Sequence, residues 1–288
     1  PLIGPFPSGA PAIFIDQVAR LGQPCGIISM VGNDDFGRLN VDRLAADGVD
    51  VSAIGIDPDR PTGSAFVRYR ADGSRDFVFN IRHSACGRLP EGAAVEAMLQ
   101  AADHLHVMGS SLSSPEIIAF NIDAARVVRQ RGGTVSFDPN LRKEILDAPG
   151  MADAMRAILS ATDLFLPSGD ELFLLTRSKD EDGAVAELLH RGIRAIVHKQ
   201  GARGVSYFGA SGRCFVPAFS MQETDPTGAG DCFGGAFTAL WLRGEDPLRA
   251  LTLAAAAGAL AVPRRGPMEG AETLETILSF AKSQGRPV

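Results

Sequence analysis

Residues 225–237 read Asp-Pro-Thr-Gly-Ala-Gly-Asp-Cys-Phe-Gly-Gly-Ala-Phe and place one carboxylate, Asp231, inside a glycine-rich turn that opens a helix. The first amides of a helix have no partner within it and carry the positive end of its dipole, so Gly228, Ala229 and Gly230 make a seat for an anion. Glycine at 228 and 230 keeps a Cβ out of the ligand's way. The turn holds no lysine, and the Walker pattern G-x-x-x-x-G-K-[ST] is absent. An acid beside a bound phosphate has another use. It can accept the proton of an attacking hydroxyl while the amides neutralise the charge that develops on the phosphoryl group. The acid and the anion seat are then two halves of one site.

The elements that must position this turn follow a βαβ rhythm. From about residue 100, "HLHVMGS", "TVSFDPN", "DLFLPS" and "AIVHKQG" read as short apolar strands. They alternate with the amphipathic runs "PEIIAFNIDAARVVRQRGG", "GMADAMRAILSAT" and "DGAVAELLHRG", and Gly192 stands where a helix C-terminal cap belongs. Such alternation predicts a parallel sheet covered by helices. Three helical segments, 228–244, 247–262 and 271–284, close the chain. Earlier, Phe14, Val18 and Leu21 share one helical face, and "CGIISMVG" reads as a buried strand that begins the same sheet. Residues 62–85 differ: two β-rich runs joined by a turn at Asp72-Gly73 predict a hairpin outside the main sheet. Gly109, Asp138 to Asn140, Ser168 to Glu171 and Lys199 to Gly201 all fall at the C-terminal ends of strands, the edge where open α/β sheets bind ligands.

With 288 residues, 45% hydrophobic and 22% charged, the chain predicts one domain over 1–288, with 60–90 contributing a small β lid. A net charge of −6 without long runs of like charge argues against nucleic acid or a membrane surface as partner. The apolar stretch 251–262 is too short to cross a bilayer. Cys25, Cys86, Cys214 and Cys232 form no C-x-x-C pair, which predicts free thiols in a reducing cytoplasm.

The stretch "DPTGAGDCFGGAF" resembles the C-terminal signature of the ribokinase-like sugar kinases, the PfkB family. "SGAPAIFIDQVARLG", "VGNDDFG", "FDPNLR", "LPSGDE" and "KQGARG" fall in that family's order, so the resemblance spans nearly the whole chain. It implies a ribokinase-like three-layer α/β/α sandwich with a mainly parallel central sheet and a small β-hairpin lid. It also implies ATP-dependent phosphorylation of a primary hydroxyl of a ketohexose or a 2-keto-3-deoxy sugar acid. Asp231 would be the base and Gly228, Ala229 and Gly230 the anion hole. Asp225, Thr227, Lys199, Gly201, Gly204 and Gly266 would surround the nucleotide. Gly9, Ala10, Arg82, Ser84, Gly109, Asp138 and Arg142 would meet the sugar or its incoming charge, and Glu171 would serve Mg²⁺. A monovalent cation is a further candidate cofactor, and a homodimer through the lid hairpin a candidate assembly. The sequence departs from the family pattern in three places. Ser168 replaces the Asn of the N-x-x-E element, Ile13 stands where an Asn usually meets the sugar, and the family's first strand does not precede Pro1.

Plainer roles stay open for several residues. Residues 168–171 also read as a helix cap with an acid in its first turn. His104, His106, His190 and His198 read as packing or surface residues, while His83 and Arg82 could face a sugar. Cys232 reads either as a thiol activated by the helix terminus or as a small buried side chain. Phe77 and Phe79 fit a lid or a dimer contact, because a lone hairpin is barely stable. The rival readings are a sugar- or nucleotide-binding regulatory protein that lost the chemistry, and a nucleoside kinase.

Overall fold

The computed structural model describes residues 3–70, 75–81, 83–141 and 150–288. The first part contains α1 (Ala10–Arg20), β1 (Ser29–Gly32), α2 (Asp35–Ala46), β2 (Ile54–Asp57) and the strands β3 (Ser64–Tyr69) and β4 (Arg75–Asn80). Then come α3 (Ala93–Ala101), β5 (His104–Met108), α4 (Pro115–Gln130), β6 (Thr134–Asp138), α5 (Met151–Ser160), β7 (Leu164–Phe165), α6 (Glu181–His190) and β8 (Ala195–Lys199). The chain ends with β9 (Val205–Gly209), β10 (Gly212–Val216), α7 (Ala229–Leu242), α8 (Pro247–Ala261) and α9 (Leu274–Ser283).

Strands β5, β6, β7 and β8 lie side by side in parallel, and β9 and β10 extend the sheet antiparallel. Successive strand residues point to opposite faces, which sorts the core into two layers. Val135, Phe137 and Ile196 pack against Ala125 of α4, Met155 and Ile158 of α5 and Leu188 of α6. On the other face Leu164, Ala195 and Val197 meet Phe14 and Val18 of α1, Phe233 and Phe237 of α7 and Leu251 of α8. The result is the expected three-layer α/β/α sandwich. In it α1 crosses α7 so closely that a Cβ on Gly235 would lie 2.4 Å from the carbonyl oxygen of Phe14. Only glycine permits that approach.

Residues 25–32 depart from the expectation. Among the described residues β1 pairs with β2 alone, as a separate two-stranded parallel unit, and does not join the six-stranded sheet. No described strand lies between β1 and β5 to hydrogen-bond with both; residues of the two strands instead line one cavity. This unit is anchored by side chains: Ile27, just before β1, and Ile54 of β2 pack against the cluster of Ile13, Leu44, Val49, Cys232 and Met268.

The hairpin forms as expected, with β3 and β4 antiparallel and Val67 opposite Phe77. Its turn at Asp72-Gly73 lies outside the described residues. Asp34 holds the hairpin's root. This carboxylate caps α2 through the Gly37 amide (2.8 Å) and also accepts from the Thr62 amide (2.8 Å) and hydroxyl (2.7 Å). Burial works to raise its pKa, but the bonds from Thr62 and Gly37 outweigh that and hold the carboxyl below its ordinary range.

Candidate active site

Gly228 caps α7 in the left-handed region, φ 87°, and a Cβ there would strike the carbonyl oxygen of Pro267 at 2.3 Å. That turn opens the helix at Ala229 and sets Asp231 in its first turn, 7% exposed. The Gly230 Cα looks onto open space, so a ligand can come up to the backbone there. The Ala229 amide is turned toward the Pro226 carbonyl (3.3 Å), which moves the open side of the anion seat toward Gly230. Asp225 shapes the approach: its carboxylate accepts from the Thr227 amide (3.1 Å) and, at 3.4 Å, from the Gly266 amide. Asp225, Thr227 and Asp231 share the wall of one cavity with Gly9, Ala10 and Asn140.

The loop after β6 joins the rest of the site to this mouth. Asn140 is the described non-glycine residue with a positive φ, 41°. Its amide donates to Asp138 Oδ1 (3.1 Å), and its side-chain Nδ2 donates to Asp231 Oδ1 (3.1 Å). The next amide, that of Leu141, donates to Glu171 Oε1 (2.8 Å), while the Ser168 amide donates to Glu171 Oε2 (2.7 Å). Glu171 thus both caps the short turn 169–173 and reaches the centre of the site. Burial and the nearby Asp138 carboxylate push its pKa upward.

Other predicted residues take more structural positions. Lys199 sets its ammonium on the buried Asp138 (2.5 Å), and this pair braces the β6 and β8 ends. Gly109 lies where a Cβ would meet the Pro139 carbonyl oxygen at 2.1 Å; its smallness lets the 138–141 loop sit against β5. Gly201 begins the short turn 201–203 after β8, and Gly204 abuts the Val216 carbonyl. Ser84 is 1% exposed and donates its hydroxyl to the Ile81 carbonyl (2.7 Å), in the hairpin root. Arg82 and Arg142 lie outside the described residues.

The open readings separate on burial. Cys232 is fully buried, and burial raises its thiol pKa well above the ordinary value, so it is packing and no nucleophile. His104 binds the Thr134 and Ser136 hydroxyls, and burial lowers its pKa to about 4. His198 lies between Glu181 Oε1 (2.6 Å) and the Gly169 carbonyl (3.0 Å). Ile13 is 2% exposed and packs with Leu44 and Met268, so this position faces the core in place of a polar contact. The residue that the pattern did not single out is Asn140; its signal was present in "DPN", because asparagine tolerates the left-handed region better than other side chains do.

Known proteins are similar to this chain along most of its length. The description "pfkB family carbohydrate kinase" matches residues 6–274. A 2-dehydro-3-deoxygluconokinase of Thermoproteus tenax is 34% identical over 286 residues, covering 94% of this chain and 86% of that protein. Fructokinase-1 of Oryza sativa subsp. japonica is 30% identical over 288 residues, covering 96% and 88%. Among solved structures, "a putative Ribokinase II in complex with ATP and Mg+2 from E.coli" superposes with a TM-score of 0.92 at 49% identity, over 98% of this chain and 92% of that one. With its three-layer ribokinase-like fold and an acid at the mouth of α7, the chain belongs to the pfkB family of carbohydrate kinases.

Proposed function

We propose that this sugar kinase transfers the γ-phosphoryl group of ATP to a primary hydroxyl of a ketohexose or a 2-keto-3-deoxy sugar acid. The observation that carries this reading is Asp231 itself, a mostly buried carboxylate in the first turn of α7, on the wall of the cavity that Gly9 and Ala10 also line. A hydroxyl brought to that wall gives its proton to Asp231 as it attacks, and the helix terminus beside Gly230 stabilises the charge carried by the phosphoryl oxygens. The relatives that act on a dehydro-deoxygluconate and on fructose support the ranking of substrates.

No group of three or more His, Cys, Asp or Glu able to cage a metal occurs among the described residues. That fits Mg²⁺, which keeps several waters and needs only one or two carboxylates besides phosphates. Glu171, with two amides on its oxygens and further lone pairs, would hold it through water, and the ion would neutralise phosphate charge. The hairpin would act as a lid and, through its exposed Phe66 and Val78, as a contact between two copies. No described helix is long and apolar enough to cross a membrane, and the free cysteines suit a reducing cytoplasm.

A coupled assay of ADP release over ketoses, keto sugar acids, aldoses and nucleosides tests the reading. Turnover with a ketose or keto acid above all others is the expected result; a preference for a nucleoside would overturn it. Light scattering on the purified chain, with and without a Phe66→Ser substitution, tests the dimer.

A further inference from the structure

We propose that Asn140 is a positioning residue that aims the Asp231 carboxylate at the acceptor hydroxyl and ties the base to the rest of the site. The inference rests on the reading of Asp231 as base. Three observations meet at this residue. Its backbone occupies the left-handed region, φ 41°, which costs free energy in any residue but glycine. Its own amide is spent on Asp138 Oδ1 (3.1 Å), in the local turn that stabilises that conformation. Its side chain then reaches 91 positions along the sequence to donate to Asp231 Oδ1 (3.1 Å).

A donor on one oxygen of a carboxylate fixes the plane of the group and favours its charged form, which is the form able to accept a proton. The strained backbone supplies the aim. Asp138, which holds the Asn140 amide, is itself locked by Lys199 (2.5 Å), and the Leu141 amide is held by Glu171 (2.8 Å). Movement at the Glu171 turn or at Lys199 therefore reaches the base through one four-residue loop. Among the described residues the charged groups bonded to Asn140 are Asp231 from α7 and Asp138 from β6, while Lys199 from β8 meets Asp138 and Glu171 from the 169–173 turn meets the Leu141 amide. A carboxylate at 140 would add like charge beside the base.

The test uses the full chain and two substitutions that both tolerate the left-handed region. Asn140→Gly removes the donor and relieves the strain; kcat falls about tenfold to a hundredfold, the loss expected for a hydrogen bond to a charged group, while KM for ATP stays within about twofold. Asn140→Asp keeps the shape but sets a second carboxylate about 3 Å from the base, so the acidic limb of the kcat–pH profile moves up by about one pH unit as the pair retains a proton. A purely structural role would move neither the limb nor the ratio of kcat to KM. Wild-type kcat in Asn140→Gly, or an unmoved acidic limb in Asn140→Asp, overturns the proposal. Asp231→Asn run in parallel separates the two failures: if it keeps full turnover the base assignment falls, and if it is inactive while both Asn140 variants behave as wild type, the positioning role alone falls.

Discussion

The mouth of α7 and the β3-β4 hairpin stand over the same cavity but are held by opposite means. At the mouth, backbone meets backbone: Gly228 against Pro267, Gly235 against Phe14 and Gly109 against Pro139, with Asp231 tied to Asn140 and Glu171 to Leu141. Atoms packed that closely have one arrangement, because even a methyl group would force whole elements apart. The hairpin is two strands joined to the body through Thr62 and the Asp34 carboxylate, with Phe66, Phe77, Val78 and Phe79 between 38% and 61% exposed. Side chains this exposed bury little on the body, the condition under which an element shifts at low cost. On the proposed reading the chemistry would sit on the closely packed part and the cover on the exposed hairpin, an arrangement that suits a phosphoryl transfer from which water must be excluded after the sugar has entered.

The sharpest way to break this contrast is Asp231→Asn. Sugar and ATP binding by calorimetry should persist while turnover drops by about 10² or more; near-normal turnover would remove the chemistry from the rigid half. Next comes Gly235→Ala. Its new Cβ lies 2.4 Å from a backbone oxygen and must separate α1 from α7. Overpacking costs about 1–3 kcal/mol, against at most about 1 kcal/mol gained in helix propensity, so a thermal melt should show a lower Tm. An unchanged Tm would mean that the mouth yields more readily than its packing implies.

Phe77→Ser with Phe79→Ser probes the mobile half. These rings stack with centroids 5.5 Å apart and line the cavity. Their loss should leave Tm nearly unchanged but raise the sugar KM several-fold and the ratio of ATP hydrolysed to sugar phosphorylated, both read in one coupled assay. A loss of fold instead would place the hairpin with the rigid half. The smallest effect concerns His104, whose pKa burial lowers from 6.5 to about 4. The unfolded chain then binds the extra proton first as pH falls, so the contribution to stability is full above pH 6.5 and is lost down to about pH 4. His104→Gln should flatten that window in melts taken at successive pH values.

Much of the architecture was readable from local pattern. The alternation of short apolar runs with amphipathic ones predicted β5 to β8 and their covering helices, and the hairpin announced itself by its β-rich runs. Asp231 was legible for the same reason, since a glycine turn followed by a helix is a contiguous feature. What stayed hidden involves partners distant in sequence. Nothing in the local pattern announced that Lys199 pairs with Asp138, 61 positions away. The packing of Ile13 with Leu44 and Met268 likewise joins residues far apart in the chain. Residues 25–32 carry the composition of a central strand, yet among the described residues they pair with Asp50 and β2 and not with the six-stranded sheet, because pairing depends on which backbone lies alongside.

The sequence by itself therefore determined the layer order, the place of the glycine-rich turn that opens α7 and the identity of the acid in it, because side-chain periodicity and glycine punctuation act over a few residues. Only the tertiary structure decided which groups reach that acid. The Asn140 amide on Asp231 and the Leu141 amide on Glu171 exist because β6, the 169–173 turn and α7 end at one sheet edge. Contacts of this kind depend on distance in space, and no local spacing in the chain encodes them.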